Sequence, residues 1–166
     1  QCDFQPMAAK DYKSGIAPIW CPGCGHHSVL LGLYQALAEL EVDPNYLMTI
    51  SGIGCSSRLP YFLKSYKMHT LHGRAGPVAT GAQLARPDLM TLVVGGDGDG
   101  FSIGGGHMPH LARKNVNLTY ILMDNRIYGL TKGQVSPTSR QDTKAYTTPY
   151  GSVEEPLNPL LYMLTY

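Results

Sequence analysis

Charge is scarce in this chain. Charged residues make up 15% of its 166 positions, and only four are glutamate: Glu39, Glu41, Glu154 and Glu155. Soluble domains carry about 25% charged residues, so a surface this poor in charge points to faces covered by partners. Thirteen basic residues against twelve acidic leave a net charge of +1, without the dense positive field that backbone-driven nucleic-acid binding requires. No nucleic-acid partner is expected. Apolar stretches such as Thr91–Val94 and Ile121–Met123 are strand-sized, far below the run of about 20 residues that crosses a bilayer. No membrane partner and no secretory leader are expected. The four cysteines, at positions 2, 21, 24 and 55, are too few and too unevenly placed for the disulfide frame of a small secreted domain. Reduced thiols in the cytoplasm are the expectation.

What is present is enough for one core: 43% of residues are hydrophobic, and a chain of this length folds as one modest domain, residues 1–166. The opening Gln1 and the apolar close Leu160–Tyr166 read as the bounds of an N-terminal piece of a longer polypeptide. Alternating segments predict an α/β fold, a parallel sheet flanked by helices. Helical spacing of Val29, Leu33, Ala36, Leu37 and Leu40 predicts a helix over 28–41, and further helices are expected over 77–86 and 103–114. Strands are expected at 47–50, 90–94 and 118–123, with irregular chain after Gln134.

The densest chemical signal is Gly95-Gly96-Asp97-Gly98-Asp99-Gly100 at the end of a predicted strand, followed one crossover unit later by Asp124-Asn125 at the end of the next. A strand, crossover helix and second strand take about 30 residues, so Asp97 and Asn125 should emerge at neighbouring carboxyl ends. Open α/β sheets bind ligands at that edge. Gly96, Gly98 and Gly100 leave backbone amides open to a phosphate beside a helix start. An Asp97 carboxylate, an Asn125 amide and the carbonyl near Ile127 would give a hard cation such as Mg²⁺ three oxygen ligands, with diphosphate and water supplying the rest. An EF-hand is excluded because its later ligands are absent. A nicotinamide site is disfavoured because 114–120 holds no acidic ribose partner.

Cys21-Pro22-Gly23-Cys24 places two thiols where both reach one centre, and Cys55 sits in a Gly-rich turn at a strand end. On spacing alone an iron-sulfur centre, a zinc site and a redox dithiol remain equally open. His26 and His27 are adjacent and unsuited to share one ion, and His107 and His110 read as packing or partner-facing residues.

Taken together, Cys21-Pro-Gly-Cys24-Gly, Gly52-Ile-Gly-Cys55-Ser56-Ser57, Leu71-His72-Gly73-Arg74-Ala75, Gly96-Asp97-Gly98-Asp99 and Asn125-Arg-Ile-Tyr-Gly129-Leu130 closely resemble the β subunits of 2-oxoacid:ferredoxin oxidoreductases. The tail 136–151 is most similar to the 2-oxoglutarate branch. The resemblance implies a thiamine diphosphate-binding fold, with the cofactor lined by Ile53, Gly54, Cys55, Ser56, His72, Gly98, Asp99, Gly129 and Leu130, and Mg²⁺ held by Asp97, Asn125 and Ile127. It implies a [4Fe-4S] cluster on Cys21, Cys24 and Cys55, whose fourth ligand in the family comes later than Tyr166, with Cys2 a weak substitute. It also implies oxidative decarboxylation of a 2-oxo acid to its acyl-coenzyme A, electrons leaving to ferredoxin, and an α subunit that supplies the carboxylate against the aminopyrimidine. Arg58 is expected to clamp a substrate carboxylate. Lys132, where some relatives carry glycine, receives no role. The competing expectations are a thiamine-dependent decarboxylase without a cluster and a zinc-stabilised interaction module.

Overall fold

The fold is a computed structural model describing residues 5–166, so Cys2 lies outside the described residues. Four strands, β1 (Leu47–Ser51), β2 (Tyr66–His69), β3 (Met90–Gly96) and β4 (Thr119–Met123), pair in parallel in the order β2-β1-β3-β4. Parallel neighbours cannot be joined by tight hairpins, so each connection crosses a face of the sheet. α1 (His26–Glu39) precedes β1; α2 (Leu59–Phe62), α3 (Ala75–Ala85) and α4 (Met108–Lys114) follow β1, β2 and β3 in turn. Beyond β4 lie a small hairpin, β5 (Ile127–Tyr128) with β6 (Gln134–Val135), and a short α5 (Pro159–Leu164).

The pleat sorts side chains onto two faces. Leu47, Leu92, Val94 and Met123 pack under Leu30, Tyr34 and Leu37 of α1 and Phe62 of α2. Ile50 and Val93 face the other way, onto Ala75 and Ala79 of α3, whose small side chains allow close approach. β1 and β3, covered on both sides, are almost entirely buried. This is the expected α/β sheet flanked by helices, with two corrections in its helices; strands β2, β5 and β6 and the short helices α2 and α5 were not among the expected elements, and α5 corrects the irregular chain expected after Gln134.

The first correction is the inward face of α1. Its buried stripe is His26, Leu30, Tyr34 and Leu37, while Val29, Ala36 and Leu40 face solvent. The helix is apolar nearly all round, so periodicity could not choose a face. His26 and Tyr34 turn inward because their polar tips find partners, the Tyr34 hydroxyl donating to the Phe62 carbonyl at 2.6 Å.

The second is the helix expected over 103–114, which forms only from Met108. Before it come a π-helical turn at Asp99–Ile103 and a 3₁₀ turn at Gly105–His107, because Gly104-Gly105-Gly106 and Pro109 interrupt the regular ladder. β2 went unread because it is an edge strand, exposed along its whole length, and so carries no burial alternation.

Candidate cofactor cleft

The strand order creates the site. β1 connects outward to β2 and β3 outward to β4, so the chain leaves the central pair in opposite directions and opens a crevice at their carboxyl ends. Loops after all four strands of the sheet converge there around a solvent-open cleft. Ile53, Gly54, Cys55, Ser56, His72, Gly98, Asp99, Gly129 and Leu130 all line it, as do Asp97, Asn125 and Ile127. Of the residues expected to hold metal, cofactor or substrate, Cys21, Cys24, Arg58 and Gly100 stand outside the lining.

Asp97 is 1% exposed, and its Oδ2 accepts a hydrogen bond from the Thr138 hydroxyl at 2.7 Å. The same hydroxyl lies 2.8 Å from Asp124 Oδ1, and its single proton serves one carboxylate at a time. Thr138, buried in the Pro-rich tail, was missed as a site residue because it lies far along the chain and carries no motif. Asn125 forms a local turn in which its Oδ1 accepts the Ile127 N–H at 3.2 Å. Among the described residues no three His, Cys, Asp or Glu side chains close round one ion. A cation beside Asp97 would therefore draw on amide and carbonyl oxygens, the donor set a hard ion prefers.

Asp99 turns inward rather than simply lining the cleft. Its Oδ1 accepts from Ile53 N–H at 2.9 Å, Gly73 N–H at 2.8 Å and His72 Nδ1 at 2.7 Å, joining the loops after β1, β2 and β3. Its Oδ2 is buried without a partner. A Cβ at Gly52 would collide with this carboxylate, and one at Gly98 would collide with the Tyr128 ring. Tyr128 closes the cleft, its hydroxyl donating to the Gly98 carbonyl at 3.1 Å. The glycine run thus serves close packing as much as phosphate access; Gly100 is buried against Tyr120 and stands outside the lining.

Cys55 joins the cleft to the other two thiols. On its cleft side a Cβ at Gly129 would lie 3.7 Å from Cys55 Sγ and 3.6 Å from Asn125 Nδ2. On the other side, burial pushes the Cys55 thiol up, the neighbouring Cys21 and Cys24 thiols push it further, and Arg58 pulls it down. All three cysteines are free thiols. Trp20 donates its indole N–H to the Cys55 carbonyl at 2.6 Å and stacks at 5.2 Å on His26, a cleft residue absent from the expected cofactor lining. His26 Nδ1 lies 3.0 Å from Cys24 Sγ, and burial, followed by His27, holds its pKa below the ordinary histidine value.

Residues 52–166 match the family model of the thiamine pyrophosphate enzyme C-terminal TPP-binding domain. The chain is 51% identical to the 2-oxoglutarate oxidoreductase subunit KorB of Mycobacterium tuberculosis, over 94% of this chain and 42% of that protein. It is 49% identical to subunit beta of 2-oxoacid:ferredoxin oxidoreductase 2 of Aeropyrum pernix, over 91% of this chain and 49% of that one. Among solved structures it superposes with a TM-score of 0.96 and 70% identity on 2-oxoglutarate:ferredoxin oxidoreductase from Magnetococcus marinus, a complex with 2-oxoglutarate, coenzyme A and succinyl-CoA bound. That match covers 99% of this chain and 57% of that one. The chain spans about half the length of the curated relatives it matches. With its motif residues gathered at the switch point of a parallel sheet, this chain belongs to the thiamine pyrophosphate enzyme family and is similar within it to the β subunits of 2-oxoacid:ferredoxin oxidoreductases.

Proposed function

We propose that this chain is the cofactor-binding part of a 2-oxoacid:ferredoxin oxidoreductase β subunit. It acts in the cytoplasm with an α subunit to convert a 2-oxo acid, 2-oxoglutarate in the first instance, to its acyl-coenzyme A. Electrons pass through a [4Fe-4S] cluster to ferredoxin. The observation that carries the reading is the meeting of Asp97, Asn125 and Cys55 in one cleft, with Cys21 and Cys24 bearing on the Cys55 thiol. Such an arrangement suits chemistry in the cleft that delivers electrons to a centre beside it. The substrate assignment is supported by 70% identity to an enzyme solved with 2-oxoglutarate and succinyl-CoA.

Asp97, Asn125 and the Ile127 carbonyl would hold Mg²⁺, one carboxylate being enough where a diphosphate brings further negative charge. Bound thiamine diphosphate supplies an electron sink for decarboxylation. Thr138 fixes the Asp97 carboxylate, and Tyr128 against Gly98 shapes the wall. Because Asp99 engages His72 Nδ1, only Nε2 is left to hold or move a proton in the cleft. No glutamate lines the cleft, which supports an α subunit as the source of the carboxylate that activates the aminopyrimidine. Arg58 bears on Cys55 from outside the lining, so a two-point clamp on a substrate inside it gains no support from this chain's geometry.

Asp97→Ala is expected to abolish Mg²⁺-dependent thiamine diphosphate binding in calorimetry, a loss of at least ~100-fold, with the far-ultraviolet dichroism unchanged. Undiminished binding would overturn the metal assignment. Iron and labile sulfide analysis of anaerobically purified protein tests the cluster: zinc on the cysteines would favour the interaction-module alternative, and bound thiamine without iron the cluster-free decarboxylase.

A further inference from the structure

We propose that a second groove, on the reverse side of the loop that carries Asn125, binds a small organic anion with an apolar body, and that Arg126 and Arg140 take its phosphate or carboxylate. The groove spans about 580 Å³, within the roughly 300–1,000 Å³ of small-molecule sites. It lies between the end of β4, the segment around Thr138 and the start of α5. The chain alternates sides where the two sites meet: Asn125 and Ile127 line the cofactor cleft, while Asp124 and Arg126 line the groove. Arg126 takes its side through a left-handed backbone, φ +60°, a costly conformation for a residue with a side chain. The surroundings hold it there. Its N–H donates to Asp124 Oδ1 at 2.9 Å, and its carbonyl accepts from the Ser139 hydroxyl at 2.6 Å.

Both arginines are exposed, and their charges are unspent. Arg86 pairs with Asp88 and Arg74 donates to the Ile103 carbonyl, whereas neither Arg126 nor Arg140 has an ion-pair partner among the described residues. Against them the lining holds one acidic side chain, Asp124, so the groove is net positive even with that carboxylate ionised. Guanidinium groups grip phosphates and carboxylates through paired N–H donors. The opening amides of α5 do not compete for the anion, because Asn158 Oδ1 already accepts from the Leu160 and Leu161 N–H groups. Leu122, Leu157 and Leu160, with two prolines, supply an apolar wall. A bare inorganic anion would leave that wall facing water, which is why the occupant is an anion that carries an apolar body.

The test is calorimetric titration of the full-length protein in its native assembly, saturated with thiamine diphosphate so that the cofactor cleft is filled. The probes are adenosine 5′-monophosphate for a phosphate ligand and octanoate for a carboxylate ligand. Saturable binding of one of them identifies the class. Arg126→Gln and Arg140→Gln are each expected to weaken that binding by at least ~10-fold, and Arg140→Gln should leave thiamine diphosphate affinity unchanged. Adenosine, which lacks the charge, and inorganic phosphate, which lacks the body, should each bind at least ~10-fold more weakly than the organic anion. No saturable binding of either probe, wild-type affinity in Arg140→Gln, or binding that appears only when thiamine diphosphate is left out overturns the proposal. The last of these would return the anion to the cofactor cleft.

Discussion

The chemistry of the cleft depends on side chains whose polar atoms are already engaged. Asp97 is buried and oriented by Thr138, a residue 41 positions away in sequence. Thr138→Val keeps the shape and removes the donor, leaving a buried carboxylate oxygen unmet, a change that costs about 1.5–3 kcal/mol when the acceptor is charged. Urea unfolding of the variant should show that loss, and metal-dependent cofactor binding should weaken in parallel. Lys132 has a backbone φ of +76°, the left-handed region that favours glycine. Such a conformation costs a side-chain-bearing residue about 1–2 kcal/mol, and glycine's entropy penalty of about 0.5–1 kcal/mol offsets part of it. Lys132→Gly is therefore expected to stabilise the fold by up to ~1 kcal/mol in the same assay, without change in cofactor affinity.

At the level of elements, the sheet was legible where a strand is a compact apolar run and illegible where it is not. β1, β3 and β4 announce themselves as compact apolar runs, whereas β2, Tyr66-Lys67-Met68-His69, holds its place by backbone pairing to β1 and shows no pattern. α1 is apolar nearly all round and offers no single face to read, and its inward stripe includes the polar-tipped His26 and Tyr34. Those tips leave a measurable trace. Burial raises the pKa of Tyr34 above its ordinary value near 10, and burial with Asp99 nearby raises that of Tyr120 further. Above pH 10 the unfolded chain releases these protons first, so stability present below that point is lost as pH rises through the folded values. Tyr34→Phe should show a shallower decline between pH 10 and 12 in chemical unfolding, at a cost of about 1 kcal/mol at neutral pH for the lost bond to the Phe62 carbonyl.

On the scale of the molecule, the crevice at the carboxyl edge of the sheet is a ligand-sized opening, and binding there is coupled to folding. A ligand at 100 times its dissociation constant adds about 2.7 kcal/mol, which in a chain of this size raises Tm by about 5–10 °C. Thiamine diphosphate with Mg²⁺ is expected to give such a shift in differential scanning calorimetry, and EDTA to reverse it. The outer surface is also apolar in places: Leu71, Leu84, Leu160, Leu161 and Leu164 are between 64% and 82% exposed, as the low charge content anticipated for a chain with covered faces.

The sequence by itself determined the α/β class and the meeting of Asp97 with Asn125 in one cleft, because strand–helix–strand spacing and glycine-rich turns act locally and leave a pattern in the order of residues; the other residues of the lining were expected from the family resemblance. Only the tertiary structure decided that Asp99 faces inward to tie three loops together, that Thr138 holds Asp97, that Arg58 stays outside the lining and that His26 meets Cys24 from within the core. Those outcomes depend on which polar atoms find partners once distant segments are packed, and pairing across a folded core writes no period into the chain.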